Sequence, residues 1–317
     1  MTAAPIDSTE SDERPAEGRS THPLIGLGRD AIRGWGMLTA PWRPDPEFLV
    51  IGAKRGGSTS FYYDLLAHPQ IAPLFPRPDR LPKAELTKGV HYFDVNHDRG
   101  ARWYRSHLPS TTARRRLAVT AGTPVITGEA SPYYLFHPAA ADRAADLVPG
   151  ARIIAVLRDP VLRTYSHWKE RRRQGRETLD FTAALAAEDG RIGDAEARLV
   201  ASDDAYSYAH EQQSYARQSE YAPALQRWYD RFSRDRILVL ASEDYYADPA
   251  AALGRTYEFL GLPPLPDRAA ASGEVRNAAE GDPIEPAVAR QLAARFRPLN
   301  ADLERLTQRR FPWPDRI

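Results

Sequence analysis

One segment, residues 47–60, reads Glu47-Phe-Leu-Val-Ile-Gly-Ala-Lys-Arg-Gly-Gly-Ser-Thr-Ser60. Its apolar run, Phe48 to Ile51, has the composition of a short buried strand. The glycines allow a tight turn in which backbone N–H groups approach an anion, and the hydroxyl residues after them can begin a helix. A helix favours a negatively charged ligand at its amino-terminal end. The segment therefore predicts a strand, an anion-binding loop and a helix, and it favours a phosphate-bearing ligand.

The same segment approaches the Walker pattern of nucleoside triphosphatases without fitting it. Gly52 and Gly57 have the separation of that pattern, but Ser58 occupies the position of its lysine, and the cations Lys54 and Arg55 come earlier. A magnesium-dependent NTPase is therefore disfavoured. From this segment alone, a simple strand-to-helix turn with two solvated cations remains open.

A second segment, about a hundred residues later, reads Arg152-Ile-Ile-Ala-Val-Leu-Arg-Asp-Pro160. It predicts another buried strand that ends at Arg158, followed by a helix with Asp159 as N-cap and Pro160 as first residue. Ser166 lies further along that helix. Because ligands of open α/β sheets bind beyond the carboxyl ends of the strands, Arg158 and the glycine-rich loop are expected to face one crevice.

Together the two segments resemble the signatures of sulfotransferases that use 3′-phosphoadenosine 5′-phosphosulfate (PAPS), especially the branch with the heparan sulfate sulfotransferases and many bacterial relatives. The resemblance spans most of residues 47–313 and implies PAPS as donor and adenosine 3′,5′-bisphosphate (PAP) as product. The residues that it assigns to the 5′-phosphosulfate are Lys54, Arg55, Gly56, Gly57, Ser58, Thr59 and Ser60. It assigns Arg158 and Ser166 to the 3′-phosphate. Because Arg55 stands where the family usually has lysine, Lys54 and Arg55 are both expected to contact the transferred sulfonate.

The segment Lys88-Gly-Val-His-Tyr-Phe-Asp94 carries the same resemblance and bears on the catalytic base. The heparan enzymes that it resembles place a glutamate two residues before a histidine, but this chain has Gly89 there. His91 is the predicted base, since an imidazole accepts a proton near neutral pH. Glu129 and Glu85 are the alternatives. Lys88 either orients an acidic acceptor or lies in solvent.

Composition limits the possible functions. The 317 residues include 43 basic and 42 acidic ones, so bulk charge gives no reason to expect nucleic-acid binding. Cysteine is absent, and the eight histidines are scattered without ligand spacing, so no metal site is predicted. No apolar run is long enough to span a bilayer. A cytoplasmic enzyme is the simplest expectation.

The chain is expected to divide into three parts. Residues 1–22 have the composition of a disordered tail without the features of a secretory signal. Residues 23–45 are predicted to pack onto the domain as an extension, and residues 46–317 to form the sulfotransferase domain. The sequence does not specify an oligomeric state.

The remaining pattern predicts an α/β fold, a single P-loop-like domain with a mostly parallel sheet and helices on both faces. The predicted strands are Phe48–Ile51, Val125–Thr127, Ile153–Leu157 and Ile237–Leu240. The predicted helices are Thr59–Ala67, Pro160–Arg173, Tyr221–Phe232, Pro249–Leu260 and Pro286–Leu306.

Two long stretches rich in proline and charge, Phe75–Lys88 and Leu262–Pro286, are candidate active-site loops that choose the acceptor. The resemblance also suggests that Arg276-Asn277 contacts the nucleotide. The acceptor is expected to be a hydroxyl or amine of a carbohydrate or specialised metabolite. A P-loop small-molecule kinase and a catalytically inactive nucleotide-binding module remain as alternatives.

Overall fold

The structure is a computed structural model that describes residues 23–76, 88–265 and 282–313, with side chains from residue 31 onward. Its centre is a five-stranded, all-parallel sheet with strand order β2-β3-β1-β4-β5. The strands are β1 (Phe48–Gly52), β2 (Ile71–Ala72), β3 (Ile126–Ala130), β4 (Arg152–Leu157) and β5 (Ile237–Ala241). The chain passes from β3, on one side of β1, to β4, on the other. This reversal places a ligand crevice at the carboxyl end of β1.

Helices cover both faces of the sheet, as the sequence predicts. They are α1 (Pro23–Leu38), α2 (Ser58–Leu65), α3 (Gly100–Arg105), α4 (Thr111–Ala121), α5 (Ala140–Leu147), α6 (Pro160–Arg173), α7 (Phe181–Ile192), α8 (Ala195–Ala201), α9 (Tyr221–Tyr229), α10 (Ser242–Ala247), α11 (Pro249–Leu260) and α12 (Pro286–Thr307). A π-helical turn at Ala209–Gln213 lies between α8 and α9. Among the described residues, no helix combines the length and apolar composition that a bilayer crossing requires.

Alternate residues of each central strand enter different cores. In β1, Leu49 and Ile51 pack into a core that includes residues of α3, α5 and α9, while Phe48 and Val50 pack into a core with residues of α2 and α11. All four side chains are fully buried. A strand buried on both faces needs apolar residues at consecutive positions, which explains the continuous apolar runs of β1 and β4.

Several predicted elements are confirmed with small changes at their ends. α6 and α11 have the predicted bounds, whereas α9 ends at Tyr229 instead of Phe232 and β3 covers Ile126–Ala130 instead of Val125–Thr127. Asp159 caps α6, because its Oδ1 accepts from the backbone N–H groups of Val161 and Leu162. The two-residue strand β2 and seven helices, α1, α3, α4, α5, α7, α8 and α10, were not predicted.

The predicted extension begins with α1, which contacts α3 in the structure. The Arg33 guanidinium donates to Ser106 Oγ at 3.0 Å, and Arg102 Nε donates to the Met37 carbonyl oxygen at 3.0 Å. The predicted tail, Glu85, Arg276-Asn277 and most of the two candidate loops lie outside the described residues. The three-part division of the chain stays a prediction.

Gly128 in β3 offers a test of this packing. A Cβ at this position would lie 2.5 Å from the Phe48 ring and from its carbonyl oxygen, whereas a Cβ at Gly254 in α11 would meet nothing within 4 Å. We expect Gly128→Ala to lower the free energy of unfolding by about 1–3 kcal/mol through overpacking. The matched change Gly254→Ala should raise it by roughly 0.5–1 kcal/mol, because alanine favours a helix interior. Urea unfolding measures both, and equal stability of Gly128→Ala and the parent would contradict the packing described.

Candidate active site

The loop between β1 and α2 lies in the crevice at the carboxyl end of β1 and is fixed to the neighbouring strand. The Ala53 N–H donates to the Val156 carbonyl oxygen at 2.7 Å. A Cβ at Gly56 would lie 2.7 Å from that same oxygen, so only glycine allows this approach. Gly57 has φ +90°, a left-handed conformation that glycine adopts without strain. The predicted strand, loop and helix are all present, and α2 begins at the crevice, where the N–H groups of a first helical turn are suited to bind an anion.

Lys54 contacts the π-helical turn across the crevice. Its Nζ donates to Gln212 Oε1 at 2.8 Å and to the Glu211 carbonyl oxygen at 3.1 Å, and it lies 3.4 Å from Glu211 Oε1. Arg171 donates to the same Gln212 oxygen at 2.7 Å. Burial lowers the pKa of Lys54 to about 8, against the opposing effect of the Glu211 charge. The Glu211 carboxylate thus helps to keep the buried Lys54 ammonium group charged.

Glu211 is held firmly beside Lys54. Tyr206 OH donates to Glu211 Oε2 at 3.0 Å, and Gln218 Nε2 donates to the Glu211 carbonyl oxygen at 2.9 Å. Burial raises the pKa of Glu211, but the charges of Lys54 and His91 outweigh it, so the net shift is downward. This carboxylate is ionised and lies within electrostatic reach of both Lys54 and His91. π-helical turns are frequently found at functional sites.

Arg55 joins the loop to α6. Its Nε donates to Ser166 Oγ at 3.3 Å, and its guanidinium lies 3.6 Å from Glu170 Oε2. Burial lowers the pKa of Arg55, and the nearby Arg158 and Arg171 add to that effect while Glu170 opposes it. The two segments that the sequence assigns to one ligand thus meet through a direct side-chain contact.

Arg158 directly follows β4, at the same edge of the sheet as the loop. Its backbone is fixed by Tyr221 OH, which donates to the Arg158 carbonyl oxygen at 2.9 Å. Within the described ranges its half-buried guanidinium makes no hydrogen bond or ion pair, although it lies close enough to lower the pKa values of Arg55 and Arg163. An unpaired guanidinium beside other cations is suited to bind a phosphate group.

Ser58, Thr59 and Ser60 form the first turn of α2 and differ in their surroundings. Ser58 is buried and accepts a hydrogen bond from Lys88 Nζ at 3.1 Å. Thr59 is partly exposed, while Ser60 is buried and accepts from Tyr246 OH at 3.3 Å. Ser58 is thus in direct contact with a cation of the crevice.

The segment that follows Lys88 is bound to β3 by its backbone. The Ala130 N–H donates to the Lys88 carbonyl oxygen at 2.8 Å, the Val90 N–H donates to Glu129 Oε2 at 3.0 Å, and the His91 N–H donates to Ser131 Oγ at 2.9 Å. Three consecutive anchors fix the position of Lys88 and His91 at the crevice.

His91 is paired with Asp94. His91 Nδ1 donates to Asp94 Oδ2 at 2.8 Å, and the Asp94 carboxylate is fully buried while the imidazole is 35% exposed. Burial alone would lower the pKa of His91, but the charge and hydrogen bond of Asp94 outweigh it, with further contributions from Glu211 and Glu129, so the pKa is raised. The pairing fixes the tautomer and leaves Nε2 without a partner among the described residues. This is the orientation that a proton-accepting imidazole requires.

Glu129, the alternative base, is placed differently. Its carboxylate is fully buried and accepts from Ser131 Oγ at 2.6 Å, from Tyr134 OH at 2.7 Å and from the Val90 N–H. Burial raises its pKa against these three hydrogen bonds. The structure therefore gives Glu129 the role of supporting the His91 segment. Glu85 lies outside the described residues.

Sequence reasoning missed several residues of this crevice. Glu211 and Gln212 lie in a short turn without hydrophobic periodicity, and Arg171 belongs to a basic run that a solvated helix face would also explain. Arg163 gave no signal either, yet it is fully buried and donates to the carbonyl oxygens of Lys54 and Tyr215. Within the part of the chain that the structure describes, no group of three side chains could hold a metal ion.

Comparisons with known proteins identify the family of this chain. Residues 46–267, more than half of the chain, match the model of the Sulfotransferase family. The chain belongs to the sulfotransferase family, as its resemblance predicts.

Two relatives and one solved structure show where in that family the similarity lies. In an alignment of 321 positions the chain is 27% identical to "Heparan sulfate glucosamine 3-O-sulfotransferase 6" of Mus musculus, with 94% of this chain and 82% of that protein covered. It is 28% identical over 220 residues to "Bifunctional heparan sulfate N-deacetylase/N-sulfotransferase 4" of Mus musculus, covering 69% of this chain and 22% of that protein. A sulfotransferase structure from Alicyclobacillus acidocaldarius is 27% identical, with a TM-score of 0.57 over 84% of this chain and 98% of that one.

The pairing of His91 with Asp94 can be tested without any ligand. In Asp94→Asn the charge that raises the His91 pKa is lost and burial, which lowers it, prevails, so we expect the imidazole to titrate at lower pH than in the parent. Titration of the His91 ring signals by NMR measures this shift. The nearby change Asp98→Asn is the control and should leave the His91 titration in place. An unchanged His91 pKa in Asp94→Asn would contradict the pairing.

Proposed function

We propose that the protein transfers the sulfonate of PAPS to a hydroxyl or amine of a carbohydrate or specialised metabolite. The observation that carries this proposal is the contact between Arg55 Nε and Ser166 Oγ, because it unites the two segments that the family resemblance assigns to the two ends of the donor. The residues present fit such a ligand. Lys54, Arg55 and Arg158 bring three cations to one crevice beside a helix start, which suits a nucleotide with several negative charges.

The role expected of each residue in donor binding follows from its position. Arg158 and Ser166 would hold the 3′-phosphate, and the loop from Lys54 to Ser60 would hold the 5′-phosphosulfate. Backbone N–H groups at the start of α2 and the Lys54 and Arg55 cations would stabilise the negative charge that develops on the bridging phosphate oxygen. Arg163 positions the loop by binding the Lys54 carbonyl oxygen.

When bound, the donor supplies an activated sulfonate whose sulfur–oxygen bond to the 5′-phosphate breaks as the acceptor's oxygen or nitrogen bonds to sulfur. His91 Nε2 accepts the acceptor's proton, and Asp94 stabilises the imidazolium that forms. PAP leaves with the bridging oxygen. As in phosphoryl transfer, positioning and charge stabilisation are expected to supply most of the rate enhancement.

The names of the two relatives support a carbohydrate as the acceptor class. Both names place heparan sulfate in the activity of those proteins. In this chain Glu211 and Gln212 lie next to Lys54, and the Glu211 charge acts on His91; side chains of these two types can hydrogen-bond the hydroxyls of a sugar. A carbohydrate or a similarly hydroxylated metabolite is therefore the first acceptor to screen.

Arg158 gives the direct test of the nucleotide site. We expect calorimetric titration without magnesium to show tight PAP binding by the parent and weak ATP binding. Arg158→Ala should weaken PAP binding by roughly ten- to a hundredfold, because a charge-assisted contact to a phosphate is lost. Arg116→Ala, on the exposed side of α4, is the control and should bind PAP normally. A preference for magnesium-ATP would favour the kinase alternative instead, and binding of neither nucleotide would overturn the proposal.

His91 tests catalysis separately from binding. We expect His91→Ala to bind PAP as the parent does while its turnover falls by about 10²–10⁴, the usual contribution of a general base. Turnover is followed as PAP release from PAPS with the best acceptor of the screen. Unchanged turnover would remove His91 as the base, and a parent that binds PAP without any turnover would favour the inactive nucleotide-binding module.

A further inference from the structure

The corner of the crevice at Gly89 is closed to any side chain. A Cβ on Gly89 would overlap the Ala130 carbonyl oxygen and lie 2.5 Å from Ser131 Oγ. Both neighbours belong to the β3 end that anchors this segment, so they have little freedom to move away. The glutamate expected at this position from the family resemblance therefore has no room here, and the neighbouring side chain that reaches the crevice is that of Lys88.

Lys88 points at the start of α2. Its Nζ lies 3.1 Å from Ser58 Oγ on the first residue of that helix, and its carbonyl oxygen accepts from the Ala130 N–H at 2.8 Å. The backbone anchors on either side of Gly89 fix where this side chain begins. The Lys88–Ser58 contact is thus a consequence of how the segment is bound to β3.

The surroundings of Lys88 favour an anion. The positive end of the α2 dipole lies ahead of its ammonium group, and the Arg55 guanidinium is close enough to act on it. Within the described residues no carboxylate lies within ion-pair distance of Lys88 Nζ. The pKa of Lys88 is lowered to about 7, chiefly by burial, with the Glu129 charge opposing this effect and Arg55 adding to it. An anion bound between these positive groups would relieve their repulsion.

We propose that Lys88 contacts the sulfonate that is transferred. A cation then lies in the part of the crevice where the family resemblance leads one to expect a glutamate at position 89. This inference rests on the proposed function. Lys88 and His91 lie on one four-residue segment, and His91 must reach the acceptor, which approaches the donor from the sulfonate end. Lys88 therefore belongs to that end of the donor, whereas Arg158 and Ser166 belong to the 3′-phosphate end.

The test compares two ligands that differ in the sulfonate. Binding of PAPS and of PAP is measured by calorimetry for the parent, Lys88→Met and Lys88→Arg. Lys88→Met keeps the length of the side chain and removes its charge, and Lys88→Arg keeps the charge and guards against a folding defect. Lys169→Met is the matched control, because the Lys169 ammonium group lies over the Tyr165 ring of α6, 5.1 Å from its centroid.

We expect Lys88→Met to weaken PAPS binding by roughly ten- to a hundredfold while leaving PAP binding unchanged. Lys88→Arg should restore most of the PAPS affinity, and Lys169→Met should behave as the parent. Equal losses for PAPS and PAP would overturn the assignment, because they would place Lys88 at the phosphate. Unchanged PAPS binding in Lys88→Met would also overturn it. A parent that binds neither ligand would instead show that the proposed function itself is wrong.

Discussion

The parallel pairing of β1 with β4 is the constraint on which the rest of the site depends. The register sets Val50 opposite Ile154 and then shifts by one residue, so that Gly52 pairs with Ala155. Both strands therefore end at the same edge, where one continues into the loop of Lys54 and the other into Arg158. The hydrogen bond from the Ala53 N–H to the Val156 carbonyl oxygen then holds the loop against β4. These contacts involve backbone atoms, and they require glycine at position 56, where a Cβ would lie 2.7 Å from the same Val156 oxygen.

A second set of backbone contacts builds the opposite wall of the crevice. Glu129 and Ser131, at the end of β3, bind the N–H groups of Val90 and His91. The buried Glu129 carboxylate therefore helps to position the backbone next to His91, and Asp94 orients the His91 ring. Glu129 accepts hydrogen bonds from Ser131, Tyr134 and Val90, so it supports the backbone of the segment. Asp94 instead accepts from the His91 ring.

Much of the fold could be predicted from the sequence because buried strands and capped helices leave local signals. The apolar run before Gly52 and the Asp159-Pro160 pair each predict their element from neighbouring residues alone. The site residues Glu211 and Arg163 could not be predicted in this way. Lys54 meets Glu211 157 residues later in the chain, in a π-helical turn that has no periodic pattern. Arg163 resembles any charged residue of a helix until the packed structure shows it to be fully buried.

The contacts of Lys54 and Arg55 have a consequence for how an anionic ligand would bind. Each cation already lies beside a carboxylate of its own chain, Glu211 for Lys54 and Glu170 for Arg55. Binding would then be an exchange, in which the incoming anion replaces counterions that the protein itself supplies. Dissolved salt competes less effectively in such an exchange than at a bare basic surface, because partly buried pairs are screened much less than exposed ones. The site would therefore select ligands whose anionic groups contact Lys54 and Arg55 in better geometry than Glu211 and Glu170 do.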